Sequence, residues 1–247
     1  MQEFKQAINS VKPKDKQPKA NLVEVFSSYQ GEGIFIGAKQ IFIRFAGCNL
    51  DCCFCDTNKD AVREDLTVEQ LFNEIKELEK NLGSHHSVSL TGGEPLLHAN
   101  FLELLLPELK KENFKIYLET NGTLAEELKR IIGYIDIIAM DIKLPSSSGM
   151  LPLWDRHIEF LNIARKRNLF VKAVITNNTS QDDIIKARDI IEDADNEMPF
   201  VLQPVSPTEK GDFRIDKEKI LNLRALIEEK LRNVRIIPQT HKFMGIK

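Results

Sequence analysis

Gly47-Cys48-Asn49-Leu50-Asp51-Cys52-Cys53-Phe54-Cys55-Asp56-Thr57 holds every cysteine of a 247-residue chain. Cys48, Cys52 and Cys55 stand at the spacing C-x3-C-x2-C. Three thiolates on one short loop can each reach one iron of a [4Fe-4S] cube. The fourth iron is then left without a protein ligand, open to a small chelating molecule. Disulfides fit poorly, because adjacent and near-adjacent cysteines cannot bridge without strain. A structural zinc site wants four closed ligands, usually from two separated pairs; no second pair exists, and no histidine is near the loop. Cys53 follows Cys52 directly, so both cannot easily face one metal, and using Cys53 would give the less natural spacing C-x4-C-x-C. Cys48, Cys52 and Cys55 are therefore the expected ligands, with Cys53 outside the set.

Composition narrows the class. A chain of this length fits one domain with a sizeable core, or at most two small ones. Hydrophobic residues make up 42%, ordinary for a globular protein. A net charge of −3 gives no global basic field for nucleic acid. No apolar run approaches the ~20 residues of a membrane span, and no signal-peptide pattern opens the chain. Thiolates that serve a cluster need a reducing compartment, so the expected location is cytoplasmic. Residues 1–20 carry Lys5, Lys12, Lys14, Lys16 and Lys19 against Glu3 and Asp15, interrupted by Pro13 and Pro18. They read as a flexible basic tail, leaving 21–247 as the folded domain.

Outward from the cysteines, strand and helix patterns alternate. Strands are expected at 21–28, 40–45, 87–90, 115–119, 135–142, 169–176, 200–203 and 234–237. Helices are expected at 67–80, 99–112 (with a kink or break at Pro107), 124–132, 151–168, 181–194 and 216–231. The first of these has a Leu71, Ile75, Leu78, Leu82 stripe, and Thr67 with Gln70 resembles a capping box. The strands are near-continuously apolar, as in a parallel sheet buried on both faces. Polar and glycine-rich runs recur at strand C-termini, where barrel active sites are built. A full eight-fold barrel needs about 250 residues; six units fit better, with a doubly wound open sheet as the competing pattern. Tyr29-Gln30-Gly31-Glu32-Gly33 and Thr91-Gly92-Gly93-Glu94-Pro95 are loops in which glycine backbone can approach a ligand closely.

The C-x3-C-x2-C loop resembles the signature of the radical S-adenosylmethionine (SAM) superfamily. The runs at 29–33, Arg44-Phe45-Ala46-Gly47-Cys48-Asn49-Leu50, Cys55-Asp56-Thr57 and the segment 234–247 together resemble one member family, the 7-carboxy-7-deazaguanine synthases. The resemblance spans about residue 23 to the end. It implies a partial (βα)6 TIM-like barrel of the radical SAM type, α/β in class. It implies a [4Fe-4S] cluster whose open iron is chelated by the amino and carboxylate groups of SAM. It also implies a carbon–nitrogen lyase of the queuosine pathway, converting 6-carboxy-5,6,7,8-tetrahydropterin to 7-carboxy-7-deazaguanine with loss of ammonia. Partners implied are the small pterin substrate, an electron donor such as flavodoxin or ferredoxin, and a second copy in a homodimer.

Carried over residue by residue, the resemblance puts SAM against Phe54, Cys55, Asp56 and Gly93, and along Glu119, Asp141, Ile142, Lys143, Gln203, Pro204, Val205 and Ser206. Asp141-Ile142-Lys143 stands where the family often has Ser-Pro-Lys, and ordinary loop polarity is the other reading of these positions. It puts Mg2+ on the Thr57 hydroxyl, a hard oxygen donor. Substrate falls to Tyr29, Gln30, Gly31, Arg44, Thr91 and Lys247. The Arg44 fork suits a carboxylate; pairing with a nearby acidic residue is the alternative. The Lys247 main-chain carboxylate can accept from the amino and ring N–H groups of a pterin; a frayed terminus is the alternative. The histidines, His241 of the terminal segment aside, read as surface or structural. Two other functions share parts of the pattern: a glycyl-radical activase, and an iron–sulfur electron-transfer protein, which would not need residues 91–95.

Overall fold

The computed structural model describes residues 18–57, 64–207 and 214–246. Nine strands form one sheet. They are β1 (Lys19–Tyr29), β2 (Lys39–Phe45), β3 (Glu64–Thr67), β4 (Ser87–Gly92), β5 (Ile116–Thr120), β6 (Ile137–Asp141), β7 (Asn168–Ile175), β8 (Phe200–Pro204) and β9 (Val234–Ile236). The spatial order is β3-β1-β2-β4-β5-β6-β7-β8-β9. From β2 onward the neighbours pair in parallel, in chain order. β1 runs antiparallel to β2 and to β3.

The helices are α1 (Val68–Leu82), α2 (Ala99–Lys111), α3 (Ala125–Ile131), α4 (Pro145–Ser148), α5 (Trp154–Ala164), α6 (Gln181–Ala194), α7 (Lys217–Glu228) and α8 (Thr240–Met244). α1, α2, α3, α5, α6 and α7 each pack against the next in that order. They form one outer layer over one face of the sheet. A doubly wound sheet reverses its strand order at a switch point and carries helices on both faces; here the parallel strands β2 and β4 to β9 run in one unbroken order, and the six longer described helices form a single layer. The sheet curls into an open partial barrel, as expected.

Strand alternation divides the two faces. Ile41, Ile43 and Phe45 of β2, Leu118 of β5, Met140 of β6 and Ala173 and Ile175 of β7 point outward into the core beneath the helices. The intervening residues point into the barrel. At its N-terminal end these are Tyr117, Ala139, Phe170 and Val201. The turn after β1 returns its own side chains onto them: Phe35 meets Tyr117 edge-on at 5.7 Å and Phe170 at 6.2 Å. This aromatic plug closes the barrel floor. One residue pair further along each strand, the inward positions become polar.

Several expectations shift in detail. The Thr67–Gln70 capping box forms, and α2 runs through Pro107 without interruption. Leu71 and Ile75 are buried, but Leu82 is half exposed and Val68 and Phe72 pack in its place. The helix expected over 151–168 is shorter, Trp154–Ala164. Pro152 disfavours helical geometry at Leu151, and Asn168 already belongs to β7. β3, α4 and α8 lack a readable periodicity in sequence; each has five residues or fewer. Among the described residues no helix is long and apolar enough to cross a membrane. Most of the expected basic tail lies outside the described residues.

Candidate active site

Above the aromatic floor lies a cavity of about 520 Å³ at the C-terminal ends of the parallel strands. Its walls take the inward side chain from each strand in turn: Arg44 from β2, Thr91 from β4, Glu119 from β5, Asp141 from β6, Lys172 and Val174 from β7, Gln203 from β8. The cysteine loop closes one side with Cys48, Cys52, Phe54, Cys55, Asp56 and Thr57. The turn after β1 closes the other with Tyr29, Gln30, Gly31 and Glu32. Gly93, Lys143, Val205 and Ser206 also line it. Ile142 and Pro204 do not. Ile142 has the opposite parity to Asp141 and Lys143 and is fully buried in the helix-side core. Pro204 shares the parity of the buried Leu202. Lys247 lies outside the described residues.

The cysteine loop is held by its neighbour. Gly93 N–H donates to the Phe45 carbonyl at 3.1 Å, and Glu94 N–H to the Gly47 carbonyl at 2.9 Å. A Cβ on Gly93 would stand 1.8 Å from the Gly47 oxygen. Glycine is required there by two backbones in contact, not only by a ligand. Glu94 points away from the cavity. Its carboxylate accepts from Leu96 N–H (3.1 Å), Thr120 Oγ1 (2.8 Å) and Asn121 N–H (2.8 Å), tying β4 to the end of β5. Full burial pushes it up to about 7 despite those donors.

Cys48, Cys52 and Cys55 are free thiols on the cavity wall. Around them Leu50, Phe54, Val174 and Val205 form an apolar patch, and burial pushes the Cys48 and Cys52 thiols up. Cys53 does not line the cavity; it is exposed, and its Sγ donates to the Ser147 carbonyl at 3.3 Å, on α4. Among the described residues no three His, Cys, Asp or Glu side chains converge tightly enough for one metal ion. A single zinc needs all donors within about 2.3 Å of one point; a cube gives each thiolate its own iron. Three free thiols on one cavity wall have the donor chemistry a cluster takes, one thiolate to each of three irons.

A polar ring crosses the cavity base. Gln30 Nε2 donates to Gln40 Oε1 (3.0 Å) and Glu119 Oε1 (2.8 Å), and Thr91 Oγ1 donates to Glu119 Oε2 (2.9 Å). Lys172 pairs with Glu32 and lies 3.8 Å from Asp141 Oδ2, its register partner across β6 and β7. Lys143 Nζ is 2.9 Å from the same Asp141 oxygen and 5.5 Å from the Phe54 ring centroid. Burial would raise the Glu32 carboxyl, but Lys172 and Gln239 outweigh it and hold it at about 2. Against its burial, the Glu32, Asp141 and Glu119 carboxylates drive Lys172 well above the usual lysine range. Among the described residues, two buried oxygens of cavity-lining residues have no hydrogen-bond partner, Asp141 Oδ1 and Gln203 Oε1. Such groups call for a ligand that donates. Arg44 takes up its alternative reading in part: Nε is 3.0 Å from Glu24 Oε1, while the residue still lines the cavity.

Lys172, Asn121 and Gln239 are site residues that the sequence reading does not pick out. Lys172 is a lone lysine inside an apolar strand run, and that oddity was the available signal. The terminal segment does return to the site. Thr240 N–H donates to the Gly31 carbonyl at 2.9 Å, Gln239 Nε2 to Glu32 Oε1 at 2.7 Å, and Lys242 pairs with Asp56. His241 and Lys242 line the cavity. His85 sits at the opposite end of the barrel, between Ser27 (2.8 Å) and Glu79. Ser27 does not line the second cavity there, so the trio reads as a structural link.

Comparison with known proteins gives this arrangement its class. Residues 42–189 match the model of the Radical SAM superfamily, which spans the barrel from β2 through most of α6. The chain belongs to the radical SAM superfamily, whose members use a [4Fe-4S] cluster and SAM. It is 43% identical to the 7-carboxy-7-deazaguanine synthase of Geobacter sulfurreducens, over 93% of this chain and 98% of that one. It is 36% identical to that of Methanothermobacter thermautotrophicus, over 93% and 98%. Within the superfamily, then, the chain belongs to the 7-carboxy-7-deazaguanine synthase family, a family of lyases. The crystal structure of QueE from Escherichia coli, 21% identical, shares the fold with a TM-score of 0.59 over 90% of this chain and 95% of that one. Membership sets aside both the activase and the electron-carrier readings.

Proposed function

We propose that this chain converts 6-carboxy-5,6,7,8-tetrahydropterin to 7-carboxy-7-deazaguanine, with Cys48, Cys52 and Cys55 holding a [4Fe-4S] cluster at the cavity wall. The observation that carries the reading is the cavity itself: three free thiols on one wall, unpaired acceptors on another and a polar base, all at strand C-termini. When bound, the cluster and SAM supply one-electron chemistry that removes a hydrogen atom from substrate; the protein supplies binding, orientation and exclusion of water.

The chain's own residues divide that work. Leu50, Phe54, Val174 and Val205 keep the cluster wall dry. Asp141 Oδ1 and Gln203 Oε1 accept hydrogen bonds from SAM, with Phe54, Asp56, Gly93, Lys143, Val205 and Ser206 around it. The opposite side, Tyr29, Gln30, Gly31, Thr91 and Glu119, receives the pterin. Glu119 is held by two donors and so presents an ordered acceptor edge. Arg44, half engaged by Glu24, remains available to the substrate carboxylate. Thr57, beside Asp56, offers its hydroxyl to a Mg2+ ion shared with substrate. The terminal segment closes the pterin side of the cavity; Gln239, His241 and Lys242 on its wall and the Thr240 bond to Gly31 support this.

The enzyme takes its electron from a small donor such as flavodoxin or ferredoxin, works in the cytoplasm, where thiolates stay reduced, and pairs as a homodimer, which sedimentation of the holoenzyme tests. Label transfer tests the chemistry. Substrate deuterated at C6 should return deuterium to the recovered SAM. Recovered SAM without deuterium, alongside product, contradicts hydrogen removal at C6.

A further inference from the structure

Asn121, the first residue after β5, is buried and has every polar atom engaged. Its N–H donates to Glu94 Oε2 at 2.8 Å, and its carbonyl accepts from His157 Nε2 at 3.2 Å. Its side-chain Oδ1 accepts from Thr123 N–H at 3.2 Å and Thr123 Oγ1 at 2.6 Å. Its Nδ2 donates one hydrogen to Asn49 Oδ1 at 2.8 Å and faces Cys48 Sγ at 3.9 Å with the other. Asn49 Nδ2 in turn donates to Thr123 Oγ1 at 2.9 Å. Three side chains thus close a ring, Asn49 to Thr123 to Asn121 and back. The ring fixes the amide orientation. A flipped Asn121 would set its NH2 against the Thr123 N–H donor and its oxygen against Asn49 Oδ1.

A donor locked on a cysteine sulfur has a definite electrical effect. Reduction adds negative charge to a cluster and its thiolates, and hydrogen bonds to the sulfurs help to set the reduction potential. The N–H bond is stronger to the more negative, reduced state, so it raises the potential. We propose that Asn121 is a positioning residue of this kind: held by Asn49 and Thr123, it donates to the Cys48 thiolate and makes the cluster easier to reduce. The inference rests on Cys48 being a cluster ligand.

The test is an anaerobic redox titration followed by the EPR signal of the reduced cluster, with iron per chain measured in each sample. Wild type is compared with Asn121→Ala, Asn121→Asp and Thr123→Val. At a fixed ambient potential, Asn121→Ala and Asn121→Asp should lower the reduced-to-oxidised ratio about tenfold, which is 59 mV for a one-electron couple. Thr123→Val keeps the donor and should lower it much less. Fully loaded Asn121→Ala at the wild-type potential overturns the proposal. If the variants lose iron, wild-type enzyme labelled with [15N]asparagine decides. A weak nitrogen coupling to the reduced cluster should appear in the labelled wild type, and its absence there overturns the proposal. Full iron loading by Cys48→Ala would instead overturn the ligand assignment, so the two failures are distinguishable.

Discussion

Lys172→Met removes the cation at the centre of the cavity base. Lys172 is 8% exposed and faces two carboxylates, Glu32 in contact and Asp141 at 3.8 Å. Asp141 keeps Lys143 at 2.9 Å; Glu32 keeps the Gln239 amide at 2.7 Å and the more distant His241. Removing one member of a buried pair strands the other charge and costs about 3–5 kcal/mol. The carboxyl gives an independent scale. Its titration lies at about 2 in the fold against 4.5 unpaired. At 1.36 kcal/mol per unit, that depression is worth roughly 3 kcal/mol. Because the folded value is the lower one, this contribution is present above pH 4.5 and fades as pH falls toward 2. Anaerobic urea unfolding of the holoenzyme near neutral pH should therefore show Lys172→Met less stable by roughly 3–5 kcal/mol. Glu32→Gln combined with Lys172→Met should recover much of it, since the stranded charge is gone. The pair joins the turn after β1 to β7, so activity should fall in both. A single-variant loss below about 1 kcal/mol, the ceiling for exposed pairs, or a double variant no better than the single, refutes the reasoning.

Replacing Cys48, Cys52 or Cys55 by Ala should abolish the brown cluster absorbance and turnover, while Cys53→Ala, whose thiol faces the Ser147 carbonyl, should largely keep both. Gly93→Ala places a methyl 1.8 Å from the Gly47 oxygen; a backbone shift costing about 1–3 kcal/mol or more is expected, and iron per chain should drop, with full loading as the contrary result. Turnover should depend on Mg2+, and Thr57→Ala should raise the metal concentration required; undiminished wild-type activity after rigorous chelation contradicts the magnesium site.

What could be read in the sequence followed from strong local patterns. The apolar strand runs and capped amphipathic helices gave the alternation, and the C-x3-C-x2-C spacing gave the cluster loop with its odd cysteine. Period-two alternation could also have removed Ile142 and Pro204 from the cavity, since their neighbours of opposite parity face it. What stayed hidden depends on long-range approach. Glu32 meets Lys172 across 140 positions, and Gln239 meets Glu32 across 207. Neither contact leaves a local trace. The glycine turn at 91–95 signals close backbone approach, but not that Glu94 with its three donors is the clamp between β4 and β5. The plug of Phe35 on Tyr117 and Phe170 likewise needs the barrel to exist before it can be seen.

The most direct test is product formation by the anaerobically reconstituted holoenzyme given SAM, dithionite, Mg2+ and 6-carboxy-5,6,7,8-tetrahydropterin, followed by mass spectrometry. Release of 7-carboxy-7-deazaguanine together with ammonia, lost in Cys48→Ala, is the expected result. Enzyme that carries its full cluster and cleaves SAM under these conditions, yet leaves the pterin unchanged, contradicts the proposed reaction.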